Sequence, residues 1–380
     1  MLKNIFKTII TFVIVIVAFS FMTAEKSNAQ NISSAQNIAA FSVVTAVDKT
    51  YAQTKIKVRV AWSLYVGWMP WEYAAAQGVL KKWGDKYGVE IELLERMAYG
   101  ASIEAYVAKQ ADACVMTNME CLDMPAKAGI KSTVLIIGDY SNGNDAIITR
   151  GNLPSLKGQE VHLVQFTVSH YLLSRHLSIK GIKESNVRIM NVTDENDIPQ
   201  LFSSVKVVAT WKPLVTSIMQ MPGAVDIFNS SSIPGEILDL MVVRTELLEK
   251  NPNIGKALIG AWYEVMDIMR KRGPAQKAAI AHMAEASGCS SVEYESQLKT
   301  TLMYWTSQSA LDYFKSEELR QKMDYVRIFC FDHGLLGENA KSVDVVGIKY
   351  PDGTVQGDPN RVFMIFDSSF TEAHARGEIK

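Results

Sequence analysis

Polar and apolar residues alternate from Lys55 to Trp62 (KIKVRVAW), which predicts a strand. Pro70 then opens a predicted helix through Trp83, at a first turn where the missing N–H costs nothing. The alternation continues with a strand at Val89 to Glu95, a helix at Ser102 to Gln110 and a strand at Ala113 to Thr117. A helix at Leu122 to Ala128 and strands at Thr133 to Gly138 and Ala146 to Thr149 follow. The series then restarts. Strands are expected at Glu160 to Val164, Val187 to Val192, Lys206 to Thr210 and Val225 to Phe228. Helices are expected between them at Ser169 to Lys180, Ile198 to Ser204 and Leu214 to Met221. Leu238 to Arg244 reads as a strand returning to the first series. Beyond it the chain is largely helical (Pro252 to Arg272, Pro274 to Ala286, Ser316 to His333). Strand-like alternation appears at Val343 to Phe366 around a Pro351-Asp352-Gly353 turn.

Two strand–helix series joined by two crossings predict an α/β protein with two lobes and mostly parallel sheets flanked by helices. Lobe one is expected at 55–148 plus about 237–290, and lobe two at 149–236. Residues 291–380 are expected to form a C-terminal helical extension packing on lobe one. A ligand cleft should lie between the lobes, because open α/β sheets bind beyond the C-terminal ends of their strands.

The N-terminus changes the picture of where this chain works. Lys3 and Lys7 precede an apolar run from Ile9 to Met22, broken only by Thr11 and Ser20, and Ser27-Asn28-Ala29 supplies small residues for cleavage. That order is a secretory signal, expected at 1–29, and the run is shorter than the roughly 20 residues a spanning helix needs. Thr50-Tyr51-Ala52 offers a second cleavage site. Residues 30–54, rich in Ala, Ser, Asn and Gln, read as a flexible leader. A periplasmic location follows as the expectation.

The net charge of the whole chain is −1, and loss of Lys3, Lys7, Glu25 and Lys26 makes it −3. There is no basic block to suggest nucleic acid. The four cysteines match no zinc spacing and read as buried free thiols. G-x-S-x-G, H-E-x-x-H and P-loop patterns are absent from the sequence, so an enzyme is not expected.

The candidate chemistry lies in loops at strand ends. Ser63 to Tyr73 holds Trp68, Trp71 and Glu72; Thr117 to Glu120 holds Asn118; the first crossing, Asp139 to Asp145, ends on Asp145. In lobe two, Ser169 starts a helix and Trp211 ends a strand. Glu236 and Asp239 sit at the second crossing. The ligand-binding set expected is therefore Trp68, Trp71, Asn118, Asp145, Ser169, Trp211, Glu236 and Asp239, with no metal, cofactor or catalytic residue. Lys212 is the only cation in these loops, against six carboxylates. Aromatic faces and carboxylates together suit a planar cation. Asn118, Asn142 and Asn144 would serve neutral urea.

Several segments carry a family resemblance. They are AWSLYVGWMPWEY (Ala61 to Tyr73), VMTN (Val115 to Asn118), GDYSNGNDAI (Gly138 to Ile147) and Leu156-Lys157-Gly158. VSHYLL (Val168 to Leu173), VVATWKP (Val207 to Pro213) and PGEILDLMVV (Pro234 to Val243) complete the set. Over about residues 55–290 the chain resembles the periplasmic solute-binding proteins of ABC importers of the nitrate/sulfonate/taurine class. It looks closest to the branch labelled urea transport receptors, which sits with urea carboxylase and guanidine-degradation genes. The resemblance implies a two-lobed type II binding-protein fold, a monomer that closes on a small solute, and a membrane permease with its ATPase as partners. A guanidine- or amidine-like cation or urea is the solute expected. Taurine, another sulfonate or nitrate is the alternative, and an enzyme or sensor on the same scaffold is the reading from another class.

Overall fold

The computed structural model describes residues 55–380; the signal and leader expected at 1–29 and 30–54 lie outside the described residues. The chain first lays down β1 (Ile56–Ala61), β2 (Val89–Leu93), β3 (Ala113–Thr117) and β4 (Ser132–Ser141). It then crosses and builds β5 (Asp145–Arg150), β6 (Glu160–Leu163), β7 (Arg188–Asn191), β8 (Val207–Trp211) and β9 (Ala224–Asn229). These five form the second sheet, in the order β7-β6-β8-β5-β9. The return strand β10 (Leu238–Arg244) inserts between β3 and β4, antiparallel to both. The first sheet is completed by β11 (Thr301–Met303), β12 (Gly347–Lys349), β13 (Val355–Gln356) and β14 (Val362–Phe366). Its order is β13-β12-β14-β4-β10-β3-β1-β2, with β11 also on β4.

Both sheets are mixed, for a topological reason. The strand that crosses between lobes must run against its new neighbours. β5 is antiparallel to β8 and β9 as β10 is to β3 and β4, while β1, β2 and β3 stay parallel as βαβ units require. All register partners of β5 lie in the second sheet, so the chain enters that sheet at Asp145, where the first crossing ends, and residues 145–148 pair with the second sheet rather than the first. Every residue of β3 and β10 is buried, as expected for central strands covered on both faces.

Two local results differ from the periodicity. The helix expected from Pro70 to Trp83 is two helices, Met69–Ala76 and Val79–Tyr87, because Gly78 adopts φ 71° between them. Residues 291–380 are not a purely helical extension: beside helices Ser291–Leu298, Ser307–Phe314, Glu317–Asp332 and Ser369–Ala375 they add four short strands to the first sheet, β12 to β14 inside the alternation at Val343 to Phe366 and β11 outside it. β14 pairs in parallel with β4, and Ile348, Met364 and Phe366 bury their side chains there. Without that pairing the edge of β4 would present open backbone groups. Among the described residues no helix is long and apolar enough to cross a membrane, and all four cysteines are free thiols.

The long helix Asn253–Arg270 covers the first lobe and packs on the Val79–Tyr87 helix. Gly260 is seated directly on the Trp83 ring, so any Cβ there would overlap it. In an exposed helix Gly→Ala would gain about 1 kcal/mol. Here overpacking should dominate, and Gly260→Ala is expected to lower stability by about 1–3 kcal/mol in urea denaturation. A gain in stability would mean the two helices can separate freely.

Candidate ligand site

A cavity lies between the lobes where the strand ends meet. Ser63, Tyr65 and Trp68 reach it from the loop after β1, Tyr99 from the start of the Tyr99–Val107 helix, and Thr117 from the end of β3. Ile237 and Asp239 close it at the second crossing. Lobe two contributes Asp145 at the first residue of β5, Val168 at a helix start and Trp211 at the end of β8. The space is tight, a cavity of about 30 Å³. That suits a solute of a few heavy atoms.

One wall is aromatic. Tyr65 meets Trp68 edge-on at 5.2 Å, Trp68 meets Tyr99 at 5.5 Å, and Tyr99 meets Trp211 at 6.1 Å across the lobes. The opposite character is acidic. Asp145 Oδ2 accepts the Ser141 hydroxyl at 2.5 Å. Ser230 lies 2.6 Å from Ser141 and accepts the Gly143 N–H at 2.7 Å. With each hydroxyl donating onward, the chain Gly143, Ser230, Ser141, Asp145 has one direction and fixes the carboxylate. Asp139 and Asp239 are cross-strand neighbours on β4 and β10. Both oxygens of Asp139 and Oδ2 of Asp239 are buried without a hydrogen-bond partner. Gly67 lets the β1 loop pass directly over Asp139, since a Cβ would sit 2.5 Å from its Oδ2.

Among the described residues no Lys or Arg lines the cavity. Lys212, the one cation in the candidate loops, turns outward and donates to Thr300 Oγ1 at 2.8 Å. Burial without a counter-ion therefore pushes the Asp145 carboxyl up to about 7, with the Ser141 hydrogen bond opposing the shift. Burial first, and mutual repulsion second, holds Asp239 well above the carboxylate range, and burial raises Asp139 beside it. Two neighbouring buried carboxyls resist ionising together. Glu120, behind the wall, is raised by burial against hydrogen bonds from Thr117 and Tyr99.

These shifts predict a pH dependence. A carboxyl with a folded pKa above its unfolded value near 3.9 contributes stability at low pH and loses it as pH rises through the folded pKa. For Asp145 the loss falls between about pH 4 and 7. Urea denaturation of the unliganded protein should show that Asp145→Asn reduces the fall in stability from pH 5 to pH 8. An unchanged fall would mean Asp145 is ionised throughout.

The expected site residues divide evenly. Trp68, Asp145, Trp211 and Asp239 line the cavity. Trp71 instead stacks on Trp262 at 5.1 Å in the core of lobe one. Asn118 holds the second crossing in place: its Nδ2 donates to Glu236 O and its Oδ1 accepts the Leu238 N–H, both at 3.0 Å. Glu236 accepts Arg175 Nε at 2.7 Å and the Tyr171 hydroxyl at 2.5 Å. Ser169 is buried beside Val168 with its Oγ unpartnered. Tyr65 and Thr117 belong to loops that the sequence marks as candidates without being singled out there, and Tyr99 lies outside those loops. Tyr99 carried a usable signal, an aromatic residue opening a helix just after the second strand.

No family model matches the chain, and no curated protein matches it. Solved structures do. The periplasmic aliphatic sulphonate binding protein SsuA of Escherichia coli superposes with a TM-score of 0.61 at 17% identity, covering 74% of this chain and 94% of its own. The alkanesulfonate-binding protein SsuA of Xanthomonas axonopodis pv. citri, bound to MOPS, gives 0.59 at 13% identity, covering 75% and 96%. The desulfurization enzyme DSZB gives 0.53 at 11% identity, covering 76% and 95%. At these identities the likeness shows the fold: this chain has the two-lobed, SsuA-like periplasmic solute-binding fold.

Proposed function

We propose that the protein is the periplasmic receptor of an ABC importer for a small nitrogen-rich solute, a guanidinium- or amidine-like cation or urea. The observation that carries this is the interlobe cavity, walled by four aromatic rings with Asp145 and Asp239 and lined by no Lys or Arg among the described residues. A planar cation would place its face on the rings, at roughly 0.5–2 kcal/mol per contact, and its N–H donors on the carboxylates. It would also supply the counter-charge that the buried acids lack. Because each lobe holds part of the site, the solute would favour the closed form through contacts that exist only there. We read the chain as a monomeric receptor, working with a permease and its ATPase, rather than as an enzyme. DSZB, however, is an enzyme on this scaffold.

A second reading is a sulfonate, as the names of the SsuA structures suggest. The unpartnered indole N–H of Trp68 favours a ligand with an acceptor, which urea and sulfonate both have. A sulfonate would in addition need Asp145 and Asp239 to be protonated, which their raised pKa values allow near neutral pH, so what disfavours an anion is that no Lys or Arg among the described residues lines the cavity. The test is a thermal-shift panel of guanidinium, acetamidine, urea, taurine and nitrate at pH 7.5. Guanidinium, acetamidine or urea should raise the Tm by several degrees, since a ligand at a hundred times its Kd adds about 2.7 kcal/mol. A shift with taurine or nitrate alone would overturn the proposal.

A further inference from the structure

Away from the cavity, a second cluster of polar side chains bridges the two lobes. His170 lies on the lobe-two helix Val168–Ile179 and Glu184 on the short turn that follows it. His333 caps the helix Glu317–Asp332, which packs on the lobe-one helix Asn118–Lys127. His333 Nε2 is 3.0 Å from Glu184 Oε1, and His170 Nε2 is 3.4 Å from the same oxygen. The three ligand atoms all lie within 4.8 Å of one another. Four ligands about 2.1 Å from a tetrahedral zinc ion stand roughly 3.4 Å apart, so the two spacings to Glu184 are already close to those of a site.

The hydrogen bonds around the cluster sharpen this. His333 Nδ1 donates to Phe329 O at 2.8 Å, which leaves Nε2 of a neutral ring with a lone pair aimed at a carboxylate. Two acceptors 3.0 Å apart require a cation between them, either a proton or a metal. An imidazole whose Nδ1–H is tied to a backbone carbonyl is the ordinary outer-shell arrangement of a metal-bound histidine. His170 differs: its Nδ1 accepts the Phe166 N–H at 3.3 Å, so Nε2 carries the proton in the metal-free state. Metal binding must exchange that tautomer and give up one long hydrogen bond. The affinity should therefore fall below that of a dedicated structural zinc site.

We propose that His170, Glu184 and His333 form a site for a divalent transition ion of the zinc class, which fastens lobe two to the C-terminal helix seated on lobe one. Two imidazoles and one carboxylate select Zn²⁺, Co²⁺ or Ni²⁺ over the hard ions Mg²⁺ and Ca²⁺. The ligands belong to both sides of the cleft, so the ion binds the closed form and holds it, whatever solute occupies the cavity.

The experiment uses the tag-free exported protein, stripped with chelator and titrated with Zn²⁺ by calorimetry, then with Co²⁺ by visible absorption. One Zn²⁺ per chain with micromolar affinity or better is expected, together with the intense bands of low-coordinate Co²⁺. His333→Gln and Glu184→Gln should each weaken Zn²⁺ at least 30-fold. His282→Gln, which removes the separate His282–Glu72 contact, should leave it unchanged. Circular dichroism checks that each variant folds, and His170→Gln replaces any that does not. Absence of Zn²⁺ binding would overturn the proposal and assign the cluster to a proton. Equal Zn²⁺ affinity in wild type and His333→Gln would also overturn it, by placing the ion elsewhere.

Discussion

Replacing Asp145 by Asn is expected to weaken guanidinium binding by about 100-fold or more, while the protein folds as before. The carboxylate is held by the Ser141 hydroxyl and faces the cavity from the first residue of β5. Asn keeps that shape and can still accept from Ser141, so the loss isolates charge. Hydrogen bonds to a charged partner are worth about 1.5–3 kcal/mol, and a hundredfold loss is about 2.7 kcal/mol. The unliganded variant should be at least as stable as wild type at pH 8, because a buried acid without a counter-ion has gone. Calorimetric titration with guanidinium checks the first half and urea denaturation the second. Full affinity in Asp145→Asn would remove this residue from the site.

Glu236→Ala should behave in the opposite way, costing stability rather than affinity. Glu236 is almost fully buried and receives both Arg175 and Tyr171. Arg175 in turn lies over the Tyr325 ring at 4.3 Å. The carboxylate thus ties the lobe-two helix to the chain just before β10, and Tyr325 adds the C-terminal helix to the same point. Removing one partner of a buried ion pair leaves the other charge uncompensated, at about 3–5 kcal/mol. Urea denaturation should show a loss of that order, with guanidinium affinity changed less than about fivefold below the transition. Lost binding with unchanged stability would make Glu236 a ligand contact instead.

These two residues show what the sequence could and could not deliver. Both were expected at the cleft because both sit at a lobe crossing, and the crossings are where the alternation of strand and helix restarts. Backbone position was legible from periodicity; side-chain direction was not. Trp68 and Trp71 are three positions apart in one loop-to-helix segment, yet one faces the cavity and the other stacks on Trp262. The partner of Trp71 lies nearly two hundred residues away, on a helix whose placement depends on the whole lobe. Asn118 was chosen for its strand-end position, and its two backbone contacts at the second crossing depend on the same long-range geometry. The unmatched charge in the cavity was visible in outline, as six loop carboxylates against Lys212. Its meaning came from burial: Asp139 has no partner at all, and Lys212 points away. At the end of the chain the alternation at Val343 to Phe366 was legible but its place was not, because β12 and β13 are only three and two residues long and exist through pairing in the widened first sheet.

The central claim is that the cavity takes positive charge onto ionised carboxylates, and proton exchange on binding tests it most directly. Titration of wild-type protein with guanidinium at pH 6.5, in two buffers of different ionisation enthalpy, reads the protons exchanged. Below the raised pKa of Asp145, binding a cation must displace protons, so net release is expected, falling as pH approaches 8.5. Taurine bound in place of guanidinium, with proton uptake, would contradict the account.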